Sequence, residues 1–599
     1  MVLPLKLPLG TSEFRKLRQT DTYYADKTDL IRELIDLPQD AVLFPRPRRF
    51  GKTTNLSMLR AFFGKHSEDL SGLFAGLAIW QAGPEYRAHF GRYPVISLSF
   101  KEVKAATWDE CRSAIAIALS RGFAEHEELL SEAKLSAGER RLVQAIVDRQ
   151  PLTSDTAAAL LDLSAILHRH HGQPALILID EYDTPILSGY QYGYLDQVSL
   201  FFRNLLSGAL KDNRHLFKGV LTGVLRIGRE NLFSGLNSII THDLMDRRFA
   251  TAFGFTEDEV EQLMVRLGHP EVLPELRAWY NGYNFAGQTI YNPWSVLSYA
   301  ANPERGFVPY WVQTSSDDAL RGLVLQRAFY VLPEFQRLLL GQTIEKPISD
   351  HVTLRELHNS PDGIWSLMLH AGYLKYLKVR TDPAEARLYA ELCIPNQEIR
   401  YVFVQSVLSW IASSEQGTQP LDELLAAMLK GDTEVFGSRL FDLALRVLSF
   451  QDTAGPETEK VYQAFALGLL VKLLPRYEVD SNRESGLGRY DVLALPKEAG
   501  QPGVVLEFKV ADTPSAAAVR RALREALTQI AHKGYGERLR QRGAAPILCY
   551  GVACHGKQVW VQRGGSSAIH GAPLRKPART GRKATGPKRS SRPAAKTSH

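Results

Sequence analysis

No apolar run in these 599 residues approaches the roughly 18 needed to cross a bilayer, which argues against a membrane-spanning protein. The opening MVLPLKLPLG is broken by prolines and by Lys6 and is short for a secretory leader, so a cytoplasmic location is expected, with no membrane partner. Cysteine is scarce. Four in so long a chain build no disulfide framework and suit a reducing compartment. Cys549, Cys554 and His555 are close together but lack a second ligand pair, and read as packing groups beside a strand. His168, His170 and His171 read as a solvated helix end. Internal repeats are lacking too.

What is present is ordinary for a globular protein: 45% hydrophobic and 23% charged residues, in a length that calls for roughly three or four domains. The net charge of +7 is misleading. Residues 571–599 hold nine Lys or Arg and no Asp or Glu, which leaves about −2 on everything before them. That tail, rich in Pro, Ala, Ser and Thr, cannot offset its ordering entropy by burial and is expected to be disordered. Loose, salt-sensitive attraction to nucleic acid and simple solubilisation are both open to it.

Two constellations carry chemistry. In the first, RYDVLAL, the turn-forming PKEAGQPG and VVLEFKV read as a β-hairpin. Asp491 and Glu507 lie eight residues either side of Ala499, so antiparallel pairing sets them opposite each other. Alternation then puts Glu507 and Lys509 on one face and Phe508 on the other. Two close carboxylates repel unless a cation lies between them, and hard oxygen ligands favour Mg²⁺ or Mn²⁺. An ordinary surface hairpin with a Glu-Lys pair is the alternative.

The context of that hairpin is YEVDSNRESGLGRYD upstream and the helix-like REALTQIAHKGY downstream, with Gln529 and Tyr535. The order D…ExK…Q over roughly residues 460 to 560 resembles the PD-(D/E)XK nuclease superfamily, and more closely the nuclease-like domain at the C-terminus of bacterial AAA-ATPase-like proteins. The resemblance implies a restriction-endonuclease-like α/β fold, Asp491 and Glu507 as metal ligands, Lys509 as the catalytic lysine and Gln529 as a supporting polar group. Tyr490 stands where the superfamily has proline, and VYQAFALGLL lacks a glutamate that some members use there. Glu484 could supply that missing carboxylate.

The second constellation begins with AVLF (41–44) and PRPRRFGKTTNLSMLRAFF. Phe50, Gly51, Lys52 and Thr53 close a P-loop-like turn, and the following helix would receive phosphate on its N-terminal amides. The first glycine of GxxxxGK[ST] falls at Arg46 and is absent, while Arg46, Arg48 and Arg49 add positive charge for a triphosphate. The run ALILI ends in Asp180-Glu181-Tyr182-Asp183 and reads as a buried parallel strand. It would deliver Asp180 to Mg²⁺ and Glu181 to the attacking water, with Thr53 as a further metal ligand and Thr54 beside it. YPVISLSF and LFKGVLTG are expected in the same sheet. The second of these ends near Thr222, a candidate γ-phosphate sensor, with Arg226 or Arg229 just beyond as charge stabilisers.

FPRPRRFGKTTNLSML, LILIDEYDTP and KGVLTGVLRIGRENLFSGLNS together resemble the AAA-ATPase-like family, from YYADKTDLIREL through FGFTEDEV, WYNGYNF, YNPWSVL, PYWVQTSS and IPNQEIR. This implies ATP binding and hydrolysis, with the rate left open by the replaced glycine. Thr256 and Glu259 form a capping box that opens a helix. WYNGYNFAGQTIYNPWSV reads as a small hairpin whose aromatics pack a core, stacking of nucleic-acid bases being the alternative. Residues 318–450 read as mainly helical, and QDTAGPETEK (451–460) as a linker.

The expected architecture is α/β: a P-loop domain (1–250) with a parallel sheet and flanking helices, a helical middle (251–450), a nuclease-like domain (451–563) and a disordered basic tail (564–599). The expected function is ATP binding coupled to metal-dependent cleavage of nucleic acid, DNA more than RNA, with ATP, Mg²⁺ or Mn²⁺, and an oligomer open. One rival is a nucleotide-switched binding module without cleavage. The other is an active ATPase whose C-terminal domain is an interaction platform.

Overall fold

The computed structural model describes residues 5–127, 135–150, 155–225, 239–311, 332–339, 341–349, 354, 362–403, 419–447, 466, 469–470, 473, 476–480, 484–485, 488–489, 491–532, 536–565 and 570–571. The expected linker (451–460) and nearly all of the tail lie outside them. The chain divides into two compact units, Met1–Ser406 and Val407–His599.

The first unit is built on five parallel strands: β1 (Ala41–Pro45), β2 (Val95–Ser99), β3 (Ala175–Asp180), β4 (Leu216–Gly223) and β5 (Ile239–Thr241), in the order β2-β3-β4-β1-β5. β1 and β3 are buried along their whole length, which is why they read as continuous apolar runs rather than alternating ones. After β1 the chain turns through Gly51, at φ 84°, into the Lys52–Phe63 helix. A glycine there enters the left-handed region without a Cβ penalty. Because β4 is inserted between β1 and β3, with Phe44 opposite Thr222 and Ile179 opposite Leu221, the carboxyl ends of all three strands meet at one edge.

Beyond this sheet, β6 (Phe255–Thr256), β7 (Tyr283–Phe285) and β8 (Gln288–Tyr291) form a small antiparallel sheet whose hairpin turns at Ala286 and Gly287. The Thr256–Glu259 capping box is present and opens the Glu257–Leu267 helix. The aromatics of this region form a core: Phe255, Tyr280, Tyr291, Tyr299 and Tyr310 are buried together with Val260, Leu263 and Leu276. The stretch expected to be mainly helical contains the Gly363–His370, Gln419–Lys430 and Thr433–Val447 helices. It also holds an antiparallel sheet of β9 (Ile344–Ile348), β10 (Lys375–Asp382) and β11 (Arg387–Cys393), in the order β10-β11-β9.

The second unit is a mixed sheet between helices. Its strands are β12 (Tyr477–Asp480), β15 (Val492–Pro496), β16 (Gly503–Val510), β17 (Ile547–His555), β18 (Gln558–Arg563) and β19 (His570–Gly571), in that order across the sheet. A separate short ladder joins β13 (Glu484–Ser485) to β14 (Gly488–Arg489). β16 and β17 run parallel; the other pairings are antiparallel. The Ala516–His532 helix buries Val519, Ala522, Leu523, Ala526 and Ile530, one stripe at helical spacing, against the face that carries Leu493, Leu495 and Val505. On the other face, Phe436 of the Thr433–Val447 helix packs its ring 5.0 Å from that of Tyr550, whose hydroxyl donates to the Met428 carbonyl at 2.7 Å.

Candidate functional sites: a phosphate cavity and a carboxylate pair

At the carboxyl edge of the first sheet, Asp180 is the hub. Its Oδ2 accepts from Thr53 Oγ1 at 2.7 Å and its Oδ1 from Thr222 Oγ1 at 2.6 Å, tying the strand-tip carboxylate to the start of the P-loop helix and to β4. Burial pushes the Asp180 carboxyl up from its usual range, and the two hydroxyl bonds pull it back. Lys52 is buried and donates from Nζ to the carbonyls of Arg46 and Pro47, both at 2.9 Å. Burial lowers its pKa while Glu181, Asp180 and Asp183 oppose that shift.

Lys52, Thr53 and Glu181 line a cavity of about 720 Å³ together with Arg48, Arg49, Phe50, Gly51 and Thr54, whereas Asp180 and Thr222 lie behind its lining residues. Its opposite walls come from the segments 8–12 and 23–27, from Lys101, Glu102 and Lys104, and from Pro293, Trp294 and Leu297. Arg49, at φ 67°, lays its guanidinium 4.6 Å from the Trp294 ring centre. Phe50 turns its ring into the core, 4.9 Å from Tyr283 and 5.5 Å from Phe285. Arg226 and Arg229 lie outside the described residues. The volume and the mixture of aromatic and cationic walls suit a nucleotide.

One expectation is corrected. Arg46 adds no charge to this cavity. It is wholly buried, donates to the carbonyls of Pro45 (3.0 Å) and His242 (2.7 Å), and places its guanidinium 5.1 Å from the Phe253 ring and 5.4 Å from that of Phe285. Burial takes its pKa down to about 10. The side chain at the missing-glycine position is a structural bolt between the P-loop and the 242–253 and 283–285 segments.

In the second unit, Val492 pairs with Leu506, Leu493 with Val505 and Ala494 with Val504, a register that continues to Asp491 opposite Glu507. Lys509 Nζ lies 3.3 Å from Glu507 Oε1; the Asp491 amide donates to Glu507 Oε2 at 3.4 Å; the Phe508 amide donates to Asp491 Oδ2 at 2.6 Å. Glu507 is fully buried and Asp491 nearly so. Burial first, and the Asp491 charge second, push the Glu507 carboxyl up to about 7, with Lys509 opposing. The site lies on the sheet face that the Ala516–His532 helix covers. Glu507 is in register with Gly551, where an added Cβ would sit 3.1 Å from both the Leu523 carbonyl oxygen and Leu527 Cγ. Only a bare backbone lets the helix approach that closely.

Two buried carboxylates beside an ammonium fit a hard divalent cation, because the donors are oxygens and the Asp491 charge raises Glu507. Among the described residues no group of three or more His, Cys, Asp or Glu gathers. Gln529 lines a different concavity, on the helix face of Arg521, Arg524, Glu525, Thr528 and His532, whose lining includes none of Asp491, Glu507 or Lys509. The Glu484 side chain and Tyr535 lie outside the described residues. Cys554 is buried on β17 with its thiol 3.5 Å from the Lys509 carbonyl, and His555 Nδ1 meets the Ala511 carbonyl at 2.8 Å. Both act as packing groups.

Sequence reasoning missed several residues. Asp183 Oδ2 accepts from the Val224 and Leu225 amides (2.8 and 2.9 Å), fixing the end of β4 where Thr222 is presented. Lys27, which lines the cavity, is paired with Glu259 at 2.6 Å, so the capping-box carboxylate also anchors the N-terminal segment. For Asp183 the available signal was its place in DEYD; Lys27 and Trp294 come from distant segments that no local pattern joins.

Comparisons with known proteins agree with this division. Residues 8–233 match the family described as "Predicted AAA-ATPase", and residues 457–564 match the PD-(D/E)XK nuclease superfamily. An "Uncharacterized protein in vnfD 5'region" of Azotobacter chroococcum mcd 1 is 28% identical over 564 residues, covering 91% of this chain and 96% of its own. Among solved structures, the Aeropyrum pernix ORC1 protein in complex with DNA aligns with 67% of this chain and 94% of its own at 15% identity. Its TM-score of 0.20 is too low to bear on fold or function. No described helix is long and apolar enough to cross a membrane.

Proposed function

We propose that this chain, which carries an AAA-ATPase-like domain and a PD-(D/E)XK nuclease superfamily domain, binds and hydrolyses ATP with the first and cuts nucleic acid with the second. The observation that carries the reading is the meeting of Asp491, Glu507 and Lys509 on one covered sheet face. Asp491 and Glu507 would hold Mg²⁺ or Mn²⁺, and the bound cation supplies a more acidic water and neutralises charge on the phosphodiester. Lys509 orients the nucleophile or balances the charge that develops on phosphate. In the first unit, Thr53 and Asp180 are the oxygen donors for Mg²⁺, Lys52 holds phosphate, and Glu181 polarises water. Lys52 must first leave the Arg46 and Pro47 carbonyls. DNA is favoured over RNA as substrate and a cytoplasmic setting fits the four free thiols.

The test is a cleavage assay with Mg²⁺ or Mn²⁺, with and without ATP, on single-stranded, double-stranded and branched DNA and on RNA. Wild type should cleave and Asp491→Ala should not; equal cleavage by the two would sink the nuclease reading. The Lys52 tether to two loop carbonyls favours a second reading, a nucleotide-switched binder with slow turnover. Metal-independent nucleic-acid binding with no cleavage by wild type would select it.

A further inference from the structure

Four segments singled out in the sequence, WYNGYNF, YNPWSVL, PYWVQTSS and IPNQEIR, meet around one buried acid that the proposed chemistry does not use. Glu398 is fully buried. Its Oε1 accepts from the Trp311 amide at 2.7 Å, and the Ser295 hydroxyl donates to its Oε2 at 2.8 Å. Two residues earlier, Asn396 donates from Nδ2 to the Asn281 carbonyl at 2.8 Å and accepts from the Ile399 amide at 3.0 Å, which caps the turn that carries Glu398. Burial pushes the Glu398 carboxyl up to about 7, and its bonds from Trp311 and Ser295 oppose that rise. A buried acceptor of this kind is costly to strip of its donors, so the segments that supply them are held to it.

Ser295 is the neighbour of Trp294, and both lie in the first turn of the Pro293–Ala301 helix. Asn292 caps that turn, its side-chain oxygen accepting from the Trp294 amide at 2.9 Å. Successive helical residues point about 100° apart, so a serine tied inward to Glu398 fixes the direction in which the tryptophan faces. That direction is the cavity. Pro293, Trp294 and Leu297 line it with Tyr23 and Phe255, while Gly51, Lys52 and Thr53 line it from the P-loop. The cavity therefore has an apolar wall as well as a P-loop, and a nucleotide brings a base as well as phosphates. The P-loop is joined to the same segments, since Tyr283 packs edge-on 4.9 Å from Phe50.

We propose that Glu398 is a positioning residue for nucleotide binding: through Ser295 it sets the first turn of the Pro293–Ala301 helix so that Trp294 presents its ring to the base. This rests on the nucleotide reading above and deepens it. Glu398 itself touches no ligand. A change there reaches the cavity only as far as Trp294 carries it.

The experiment is a double-mutant cycle on equilibrium binding of ADP with Mg²⁺ to the full chain, with inorganic triphosphate as a probe that has no base. Trp294→Ala and Glu398→Gln should each weaken ADP by about fivefold to twentyfold and leave inorganic triphosphate within about twofold. The two together should weaken ADP no more than Trp294→Ala alone, because one effect passes through the other. Ser295→Ala, a milder change that spares the Trp311 bond, should show the same pattern at about threefold and carries the cycle if Glu398→Gln does not fold. Additive losses in the double variant, equal loss of ADP and triphosphate, or unchanged ADP affinity in Trp294→Ala overturns the positioning role and leaves the nucleotide reading intact. Failure of Ser295→Ala to fold would make the network purely structural and overturns the role as well. Wild type that does not bind ADP overturns the nucleotide reading and this inference with it.

Discussion

The two sites hold their buried acids with different sets of donors. In the N-terminal unit each carboxylate has neutral donors: Asp180 takes two threonine hydroxyls and Asp183 two backbone amides. In the C-terminal unit Asp491 and Glu507 face each other across a hairpin beside the Lys509 ammonium, each also accepts a backbone amide, and Glu507 is driven up to about 7. The first arrangement is self-satisfied and can wait for its ligand. The second sets two carboxylates against each other, which favours the protonated form of Glu507 unless a cation joins the pair. A buried acid held by hydroxyls is a structural joint between strands, whereas two acids on one face raise each other's affinity for a proton or a cation.

The largest effect that would sharpen this contrast is on chemistry. Asp491→Ala or Glu507→Gln should reduce metal-dependent cleavage by about a thousandfold or more, read by gel assay, since either removes a cation ligand. Lys52→Ala should weaken ATP by about tenfold to a hundredfold in a binding titration while leaving Mg²⁺ affinity of the C-terminal unit unchanged. Loss of both together would break the comparison.

Acidity gives a third test, and its sign follows from the raised carboxyl. Because the folded Glu507 titrates near 7, above its ordinary 4.5, its contribution to stability is complete below about 4.5 and is lost as pH rises through about 7. A divalent cation needs the ionised form. The melting-temperature rise caused by Mn²⁺ should therefore be small at pH 5.5 and full by pH 8, and Glu507→Gln should flatten it. A rise independent of pH would place the cation elsewhere. The smallest effect is expected at the self-satisfied site: Thr222→Val leaves Asp180 Oδ1 without its donor and should cost about 1–3 kcal/mol in chemical denaturation.

Much of this was legible because local rules suffice for it. Counting outward from Ala499 set Asp491 opposite Glu507, since the ladder between them runs without a bulge. The buried run ALILI announced β3, and the glycine and lysine after β1 announced the helix that follows. Other features depend on what distant segments bring. β9 pairs with β11 although β10 lies between them in sequence, a juxtaposition that no local pattern announces. Motif alignment located Arg46 in the loop but could not say which way its side chain turns, and three arginines in four residues read as one charged cluster although the first is interior. The cavity's far walls come from residues 8–27 and 293–297, a juxtaposition that only the folded chain creates.

Arg46 also bears on repair by consensus. Restoring glycine at that position would make the loop conform to its usual spelling, yet it would withdraw the donor from the His242 carbonyl and strip the cation from between Phe253 and Phe285. The hollow left behind the loop would be lined by aromatic rings and an orphaned carbonyl. In this chain the side chain at that position is a rivet, and editing the motif toward the common form would unfasten the loop from the wall that holds it.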